Sequence, residues 1–255
     1  MTFYNLSNSR RILFFVGIVV IWQLTAWFGP WPSYIFPSPI SVTQTLARGF
    51  SNGTFITGIL TSMQRLLIGF GISAVIGLAL GLALGRNRLL DETLGALVLG
   101  LQALPSICWL PLALLWFGLN ETAILFVVVM GALLSITLAT ESGVKNTPPL
   151  YLRAARNLGA RGWKMYALVV LPAALPEIIT GMKLGWSFAW RSLMAGELLY
   201  VSFGLGHLLN MGRELNDMSQ VIAVMLVIIA IGLIVDRLIF VPIESRVRER
   251  WGLQA

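Results

Sequence analysis

The chain has 255 residues, of which 57% are hydrophobic and 11% charged, and its formal net charge is +7. Soluble globular domains carry about 25% charged residues, so this composition excludes one or two soluble domains. Long uncharged runs instead predict an all-α protein that crosses a membrane several times. The basic residues cluster between the apolar segments, a pattern typical of membrane topology, which argues against nucleic-acid binding.

The N-terminal part of the chain contains a short apolar span followed by a polar segment. The span covers residues 12–28, and no small-residue cleavage site follows it, so we expect it to be retained. In the next segment, which is rich in Pro, Gly and Ser, Ser38 or Ser41 is expected to cap a short helix that continues to Arg48.

The second predicted span is bracketed by Arg65 and Arg86, with twenty uncharged residues between them. Gly77, Gly81 and Gly85 recur at every fourth position of this span. Small residues at this spacing form a flat strip that another membrane helix can approach closely. We therefore predict a helix-packing surface at the three glycines.

The third predicted span covers residues 94–117 and contains Pro105 and Pro111. Prolines near the middle of a membrane helix free backbone carbonyls and bend or break the helix. Two interpretations stay open, a simple packing kink and a bent helix that lines the translocation path. A turn at residues 118–120 separates this span from the fourth, at residues 122–140.

A basic loop at residues 146–172 follows the fourth span and contains no acidic residue. Pro148 and Pro149 suit the first turn of a helix, and Gly159 suits its end, because glycine readily adopts the left-handed conformation. The apolar residues of this helix are predicted to share one face: Tyr151, Ala154, Ala155 and Leu158. The loop is therefore interpreted as a short amphipathic docking helix at the membrane surface.

The fifth span is predicted from about residue 175 to Tyr200, with Pro172 and Pro176 setting its beginning. A polar segment at residues 202–220 separates it from the sixth span, at residues 221–235. The charged tail, residues 244–255, is expected to be helical at its start.

Basic residues predict the orientation, because cytoplasmic loops carry an excess of Lys and Arg. With the N-terminus inside, the outer segments hold only Arg48 and Arg213, whereas the inner segments hold twelve basic residues. The twelve are Arg10, Arg11, Arg86, Arg88, Lys145, Arg153, Arg156, Arg161, Lys164, Arg246, Arg248 and Arg250. Both termini and the basic loop are thus expected in the cytoplasm.

The basic loop resembles the cytoplasmic loop of permease subunits of binding-protein-dependent ABC importers. The family pattern is Glu-Ala-Ala, three residues, Gly, nine residues, Ile, one residue and Leu-Pro. Here Arg153-Ala154-Ala155, Gly159, Val169 and Leu171-Pro172 keep both spacings. Arg153 replaces the family Glu, which puts in doubt any salt bridge made by that acid. The runs LPSICWLPLALLWFG and LPAALPEIITGMKLGWSFAW are most similar to the nitrate, sulfonate and taurine group.

This resemblance implies a single permease domain over residues 1–255 with six transmembrane helices in the type I importer fold. The loop at 146–172 would be the coupling element that fits a cytoplasmic ATPase. Its implied coupling residues are Arg153, Ala154, Ala155, Leu158, Gly159, Leu171 and Pro172. The implied partners are ATPase subunits, a periplasmic or lipid-anchored solute-binding protein, a second permease copy and membrane lipid, in a bacterial inner membrane.

Catalytic motifs are missing from the sequence. It contains no GxxxxGK[ST] phosphate loop, no HExxH and no Cys/His cluster, so we expect neither catalytic residues nor a metal or cofactor on this chain. The resemblance assigns ATP and Mg²⁺ to the partner ATPase. A membrane scaffold or channel subunit without a coupled ATPase is the main alternative, and an intramembrane enzyme is a third.

The fifth span carries Lys183, Arg191 and Glu197. A cation at membrane depth is a functional hypothesis, because family substrates are oxyanions that a guanidinium can bind with two parallel hydrogen bonds. Arg191 is instead a structural residue if it pairs with Glu197 or extends to the outer interface. The predicted substrate path comprises Pro105, Trp109, Pro111, Trp186, Trp190, Arg191 and Glu197. The expected substrate of this path is nitrate, a sulfonate such as taurine, or bicarbonate. The permease would move it by alternating access.

Overall fold

The computed structural model describes the backbone of residues 2–199 and 202–251, and the side chains of residues 10–199 and 202–251. Throughout these ranges the regular structure is helical, without a strand. Residue contacts divide the chain into two units, one formed by residues 1–60 and 203–229 and the other by residues 61–202 and 230–255. The predicted end of the fifth span at Tyr200 and residues 252–255 of the tail lie outside the described residues.

The α-helices are numbered here in chain order. They are α1 (Thr2–Phe28), α2 (Pro39–Ser51), α3 (Thr54–Arg86), α4 (Ala96–Gln102), α5 (Trp109–Phe117), α6 (Glu121–Lys145), α7 (Pro149–Asn157), α8 (Leu171–Leu199), α9 (Leu205–Glu214), α10 (Met218–Val235) and α11 (Val241–Arg250). Single helical turns at Arg88–Leu90, Ser106–Cys108 and Trp163–Met165 and π-helical turns at Asp91–Gly95, Tyr166–Val170 and Asp236–Phe240 complete the helical structure.

Five helical segments of the described chain are long and apolar enough to cross a membrane. They are Arg10–Phe28, Thr54–Arg86, Glu121–Lys145, Trp163–Leu199 and Met218–Arg250. A sixth span is obtained if Arg88–Gln102 and Ser106–Phe117, which meet at a bend of 97°, count as one. The prediction of an all-α protein with six spans is confirmed when this bent pair is counted as one span.

The bend in the third span occurs at Pro105, as the sequence suggested, but Pro111 has no part in it. Pro105 lies between α4 and α5, and Pro111 is the third residue of α5. In the first turn of a helix the missing N–H of proline leaves no hydrogen bond unmade, so Pro111 fits there without a kink.

The prediction that Pro172 and Pro176 set the start of the fifth helix is confirmed for Pro172, the second residue of α8, but not for Pro176, which lies inside that helix. The apolar helical segment that includes α8 runs from Trp163 to Leu199, so both prolines lie inside this longer segment. A π-helical turn explains how it continues past Pro172, since the N–H of Leu171 bonds to the carbonyl of Tyr166, five residues back. The wider turn displaces the carbonyl that the proline ring would otherwise meet.

The second unit is built on the close packing of α6 against α8. Four glycines make this approach possible, because a Cβ on any of them would meet the facing helix: Gly131, Gly143, Gly181 and Gly185. Around this contact lies a buried core that includes Ile124, Val128, Ala132, Ile136, Trp186, Ala189 and Leu193. Helices α6 and α8 therefore form a compact pair that positions the residues described below.

The glycine strip predicted on the second span packs as expected. A Cβ at Gly77 would meet Ile136, and one at Gly85 would meet Val144, both on α6. Gly81 faces the same helix at Thr137 and Thr140. The small-residue repeat thus lets α3 approach α6 closely.

The first unit has its own contacts. Ser38 rather than Ser41 caps α2, since its Oγ accepts from the backbone N–H of Ser41 at 3.2 Å. The Trp22 indole N–H donates to the carbonyl of Pro37 at 2.9 Å, which ties α1 to the start of α2. In the same unit, the Gln220 side chain donates to the carbonyl of Leu208 at 2.8 Å.

Candidate coupling loop and translocation site

Helix α7 begins and ends as the sequence predicted. Pro149 is its first residue, and it closes in a Schellman motif. The Ala160 N–H bonds to the carbonyl of Ala155 at 2.9 Å, and the Gly159 N–H bonds to the carbonyl of Arg156 at 3.0 Å. Gly159 has φ +83, a left-handed conformation that suits glycine, so the turn that reverses the chain depends on this residue.

The predicted apolar face of α7 is buried only at Ala155. Ala155 is only 7% exposed and packs in a cluster with Val144, Met165 and Val170. The other predicted members point away from that cluster, with Leu158 88% exposed and Tyr151 43% exposed. The buried alanine therefore holds α7 on its own bundle, and only the outer residues are available to a partner. The spacing of the apolar residues could not show which of them face the bundle and which face a partner, because apolar side chains suit both positions.

The outward surface of the loop is basic. Arg156 and Arg161 line a depression of about 400 Å³ together with Ala160, Gly162 and Met165. Arg153, which replaces the family Glu, is exposed and forms no ion pair with any residue that the structure describes. The loop thus presents cations beside exposed apolar side chains.

The loop is mechanically continuous with the central helix pair. Val144 belongs to α6, Met165 and Val170 belong to the turns that lead into α8, and all three pack with Ala155 in one buried cluster. Leu171 and Pro172 follow directly in α8 and are partly buried. Ala155 thus joins α7 to the adjoining ends of α6 and α8 through one close-packed cluster.

A cavity of about 290 Å³ lies beside the break in the third span. It brings together three predicted path residues, namely Pro105, Trp109 and Arg191. Gln102 and Ser106 add polar side chains to the lining, which contains no carboxylate. Arg191 is exposed, and its guanidinium carbon lies 5.4 Å from the centre of the Phe188 ring.

Arg191 also borders a second cavity of about 250 Å³, which includes Trp186 and Trp190. This cavity differs in charge, since Lys183 and Asp236 lie in its lining and form an ion pair at 3.0 Å. Trp186 is mainly a core residue, because it is 8% exposed and its ring lies 5.2 Å from the ring of Phe70.

Two predicted path residues lie elsewhere. Pro111 is exposed on α5 and belongs to the lining of neither cavity. Glu197 is fully buried and pairs with Arg65 rather than with Arg191. The sequence could not identify this partner, because Arg65 lies on another helix, 132 residues away.

The main feature that sequence reasoning missed is a cluster around Arg65, in which Arg65 and Glu197 are buried and Glu121 is half exposed. The Arg65 guanidinium donates from Nε and Nη2 to the two oxygens of Glu121, each at 2.6 Å, and from Nη1 to Glu197 at 2.7 Å. Ser202 accepts from Nη2 at 2.7 Å, and the Ser62 hydroxyl lies 2.8 Å from both oxygens of Glu197. The cluster therefore fastens α3, α6 and α8 together.

A signal for this cluster was present in the sequence. Arg65, Glu121 and Glu197 each adjoin or interrupt an apolar run, and ionisable groups at such positions need partners. Sequence position alone does not show which of these charges pair, because they lie on three different helices.

Comparison with known proteins identifies the class. Residues 73–248 match the family described as the inner membrane component of binding-protein-dependent transport systems, and the chain belongs to this family. It is therefore an ABC importer permease subunit and a multi-pass inner-membrane protein.

Several relatives are similar over most of their length. A putative ABC transporter permease protein of Methanocaldococcus jannaschii is 36% identical over 239 residues, covering 90% of this chain and 89% of the relative. The bicarbonate transport system permease protein CmpB of Synechococcus elongatus is 32% identical, covering 88% and 84%. The taurine transport system permease protein TauC of Escherichia coli is 26% identical, covering 89% and 86%.

A solved structure agrees with the architecture. The inward-facing MetNI methionine ABC transporter contains a chain that superposes with a TM-score of 0.64 at 19% identity. The superposition covers 76% of this chain and 96% of the other. At this identity the likeness establishes the fold alone, which is that of a type I importer permease.

Proposed function

We propose that this permease moves a small oxyanion across the inner membrane by alternating access, driven by an ATPase that binds the basic loop. Sulfonates including taurine, bicarbonate and nitrate are the proposed substrates. A solute-binding protein delivers the anion on the outer side, and the permease works as a homodimer. ATP and Mg²⁺ bind the ATPase, and this chain carries neither catalytic residues nor a cofactor.

The observation that carries the substrate class is the position of Arg191. Its guanidinium borders the 290 Å³ cavity, where Gln102 and Ser106 supply further hydrogen-bonding groups and no lining residue is acidic. A guanidinium offers paired donors that match carboxylate-like and sulfonate oxygens. Since one water occupies about 30 Å³ of liquid, the volume accommodates a small anion with several waters.

Charge also favours this cavity over its neighbour. The 250 Å³ cavity contains Asp236, whose carboxylate repels an anion and already pairs with Lys183. Pro105 lies in the break between α4 and α5 beside the first cavity, and irregular backbone at membrane depth commonly lines transport sites. We therefore assign the substrate to the cavity that Pro105, Trp109 and Arg191 share.

The proposed coupling uses the loop between α6 and α8. ATPase closure displaces α7 through its exposed residues Tyr151, Leu158 and Arg153, and the buried Ala155 cluster passes the movement to α8. Arg191 lies on α8, so the substrate cavity changes shape with the loop. The excess of basic residues in the predicted inner segments supports a cytoplasmic position for the loop and both termini.

The test is uptake by proteoliposomes that contain the permease, its ATPase and its binding protein. Arg191→Gln is expected to lower oxyanion uptake at least about tenfold, because a charged hydrogen bond contributes roughly 1.5–3 kcal/mol. Arg237→Gln is the matched control, since Arg237 is an exposed cation that lines neither cavity.

Full uptake of every tested anion by Arg191→Gln would refute the assignment of Arg191. Failure of the permease to bind any ATPase on purification would refute the importer mechanism itself.

A further inference from the structure

An apolar cavity at the end of α3 carries a second inference, independent of the transported substrate. It has a volume of about 620 Å³ and lies where the end of α3 faces the turns that lead into α8. Leu82, Leu90 and Leu171 contribute to an apolar wall. The polar side of the lining comprises Arg86, Asn87 and Arg88, and Trp163 and Tyr166 complete it.

The depth of this cavity relative to the bilayer follows from α3. Twenty uncharged helical residues, 66–85, precede Arg86. At 1.5 Å per residue they rise about 30 Å, the thickness of the hydrocarbon core. Arg86 therefore lies at the level of the lipid headgroups, where Trp163 and Tyr166 also suit the interface.

The charged side of the cavity is cationic. No residue of its lining is acidic. Among the described residues Arg86 forms no ion pair; its guanidinium carbon lies 4.6 Å from the centre of the Tyr166 ring. Arg88 pairs with Glu92 through Nε at 2.6 Å, a contact that engages one of its five N–H donors.

The surroundings of the cavity are apolar and exposed. Trp163 is 75% exposed, Leu168 70% and Leu89 69%. These side chains suit contact with acyl chains better than contact with water. An occupant that combines an anionic head with an apolar tail satisfies both sides of the cavity.

We propose that this cavity binds an anionic phospholipid, with the phosphate on Arg86 and Arg88 and an acyl chain along the leucine wall. Basic pockets beside membrane helices bind such headgroups. The site adjoins the π-helical turn Tyr166–Val170, which joins the basic loop to α8. Bound lipid therefore contacts the segment through which the loop and α8 are connected.

The test compares phosphatidylglycerol with phosphatidylcholine of identical acyl chains, added to the purified permease in detergent. Thermal unfolding and native mass spectrometry measure binding. Phosphatidylglycerol is expected to raise the Tm more than phosphatidylcholine does, because ligand binding to the folded state stabilises it. Arg86→Gln should weaken the apparent affinity for phosphatidylglycerol about tenfold.

Two further variants separate the site from general effects of charge. Arg246→Gln removes an exposed cation that lies outside the cavity lining and should leave binding unchanged. Ala83→Leu narrows the cavity without a charge change and should also reduce the number of bound lipids.

Equal Tm shifts with the two lipids, or full lipid binding by both Arg86→Gln and Ala83→Leu, would overturn the proposal. An equal shift with glycerol phosphate alone would also overturn it, because the site would then bind free phosphate rather than lipid. Lipid binding and oxyanion uptake are separate measurements, so either proposal can fail without the other.

Discussion

At the scale of single residues, the two arginines of the spans have opposite environments. Arg65 is 7% exposed, and its hydrogen bonds to Glu121 and Glu197 place it within a fixed network. Arg191 is exposed beside two cavities. A buried cation that is fully paired stabilises one arrangement of helices, whereas an accessible one can exchange partners. Arg65 is therefore a structural residue, whereas the accessible Arg191 is the one proposed to contact the substrate.

The buried pair gives a prediction about stability. Glu197→Ala should destabilise the protein by about 1.5–3 kcal/mol, because Arg65 and Ser62 lose the carboxylate that accepts from both, although Arg65 keeps its pair with Glu121. Thermal unfolding in detergent measures the change.

Glu92→Ala is the control for that measurement. Glu92 pairs with Arg88, whose side chain is 91% exposed, and such surface pairs contribute about 0–1 kcal/mol. Equal Tm values for Glu197→Ala and Glu92→Ala would show that the cluster around Arg65 does not hold the three helices together.

At the scale of elements, the short helix α7 is defined by its ends more than by its length. Nine residues are too few for an isolated helix to be stable, so packing of Ala155 and the closing turn hold it in place. Gly159 supplies the one left-handed residue of the Schellman turn, at φ +83. The direction in which the loop leaves α7 therefore depends on this glycine.

Gly159→Val should uncouple ATP hydrolysis from uptake without preventing insertion into the membrane. A β-branched residue in the left-handed conformation costs about 1–2 kcal/mol, which the turn can relieve only by changing its path. ATP hydrolysis and uptake by the same proteoliposomes measure the two activities.

Gly71→Val serves as the matched control, because Gly71 lies within α3 and a Cβ there meets nothing within 4 Å. Normal uptake by Gly159→Val would mean that this turn does not transmit ATPase movement.

At the scale of the whole molecule, the distribution of charge predicts an orientation. Twelve basic residues in the predicted inner segments against two in the outer ones predict that the loop and both termini lie in the cytoplasm. The excess of basic residues comes from several loops, so no single substitution is expected to invert the orientation of the protein in the membrane.

Thiol labelling checks this orientation. After the native thiol is removed by Cys108→Ala, an impermeant maleimide should label Arg213→Cys from outside intact cells. The same reagent should reach Arg161→Cys only in inverted vesicles, and both positions are exposed. Labelling of Arg161→Cys in intact cells would contradict the cytoplasmic assignment of the loop.

Much of the fold could be predicted from the sequence, because the apolar composition of a segment by itself shows whether the segment can cross a membrane. Uncharged runs of about 20 residues identify spans without knowledge of neighbours. Gly77, Gly81 and Gly85 predicted a packing strip for the same reason, since the spacing itself produces the flat surface. Pro149 and Gly159 predicted both ends of α7, because their backbone preferences do not depend on tertiary contacts.

Features that join distant segments required the three-dimensional structure. The pairing of Arg65 with Glu197 spans 132 residues, and no periodic pattern connects them. The π-helical turn that carries the helix past Pro172, and the inward direction of Ala155, also depend on what packs nearby. Sequence alone determined which segments lie in the membrane and how the loop begins and ends, because those follow from solvation and backbone preference. Tertiary structure decided which charges are buried together and which face a cavity, because pairing depends on distance between helices.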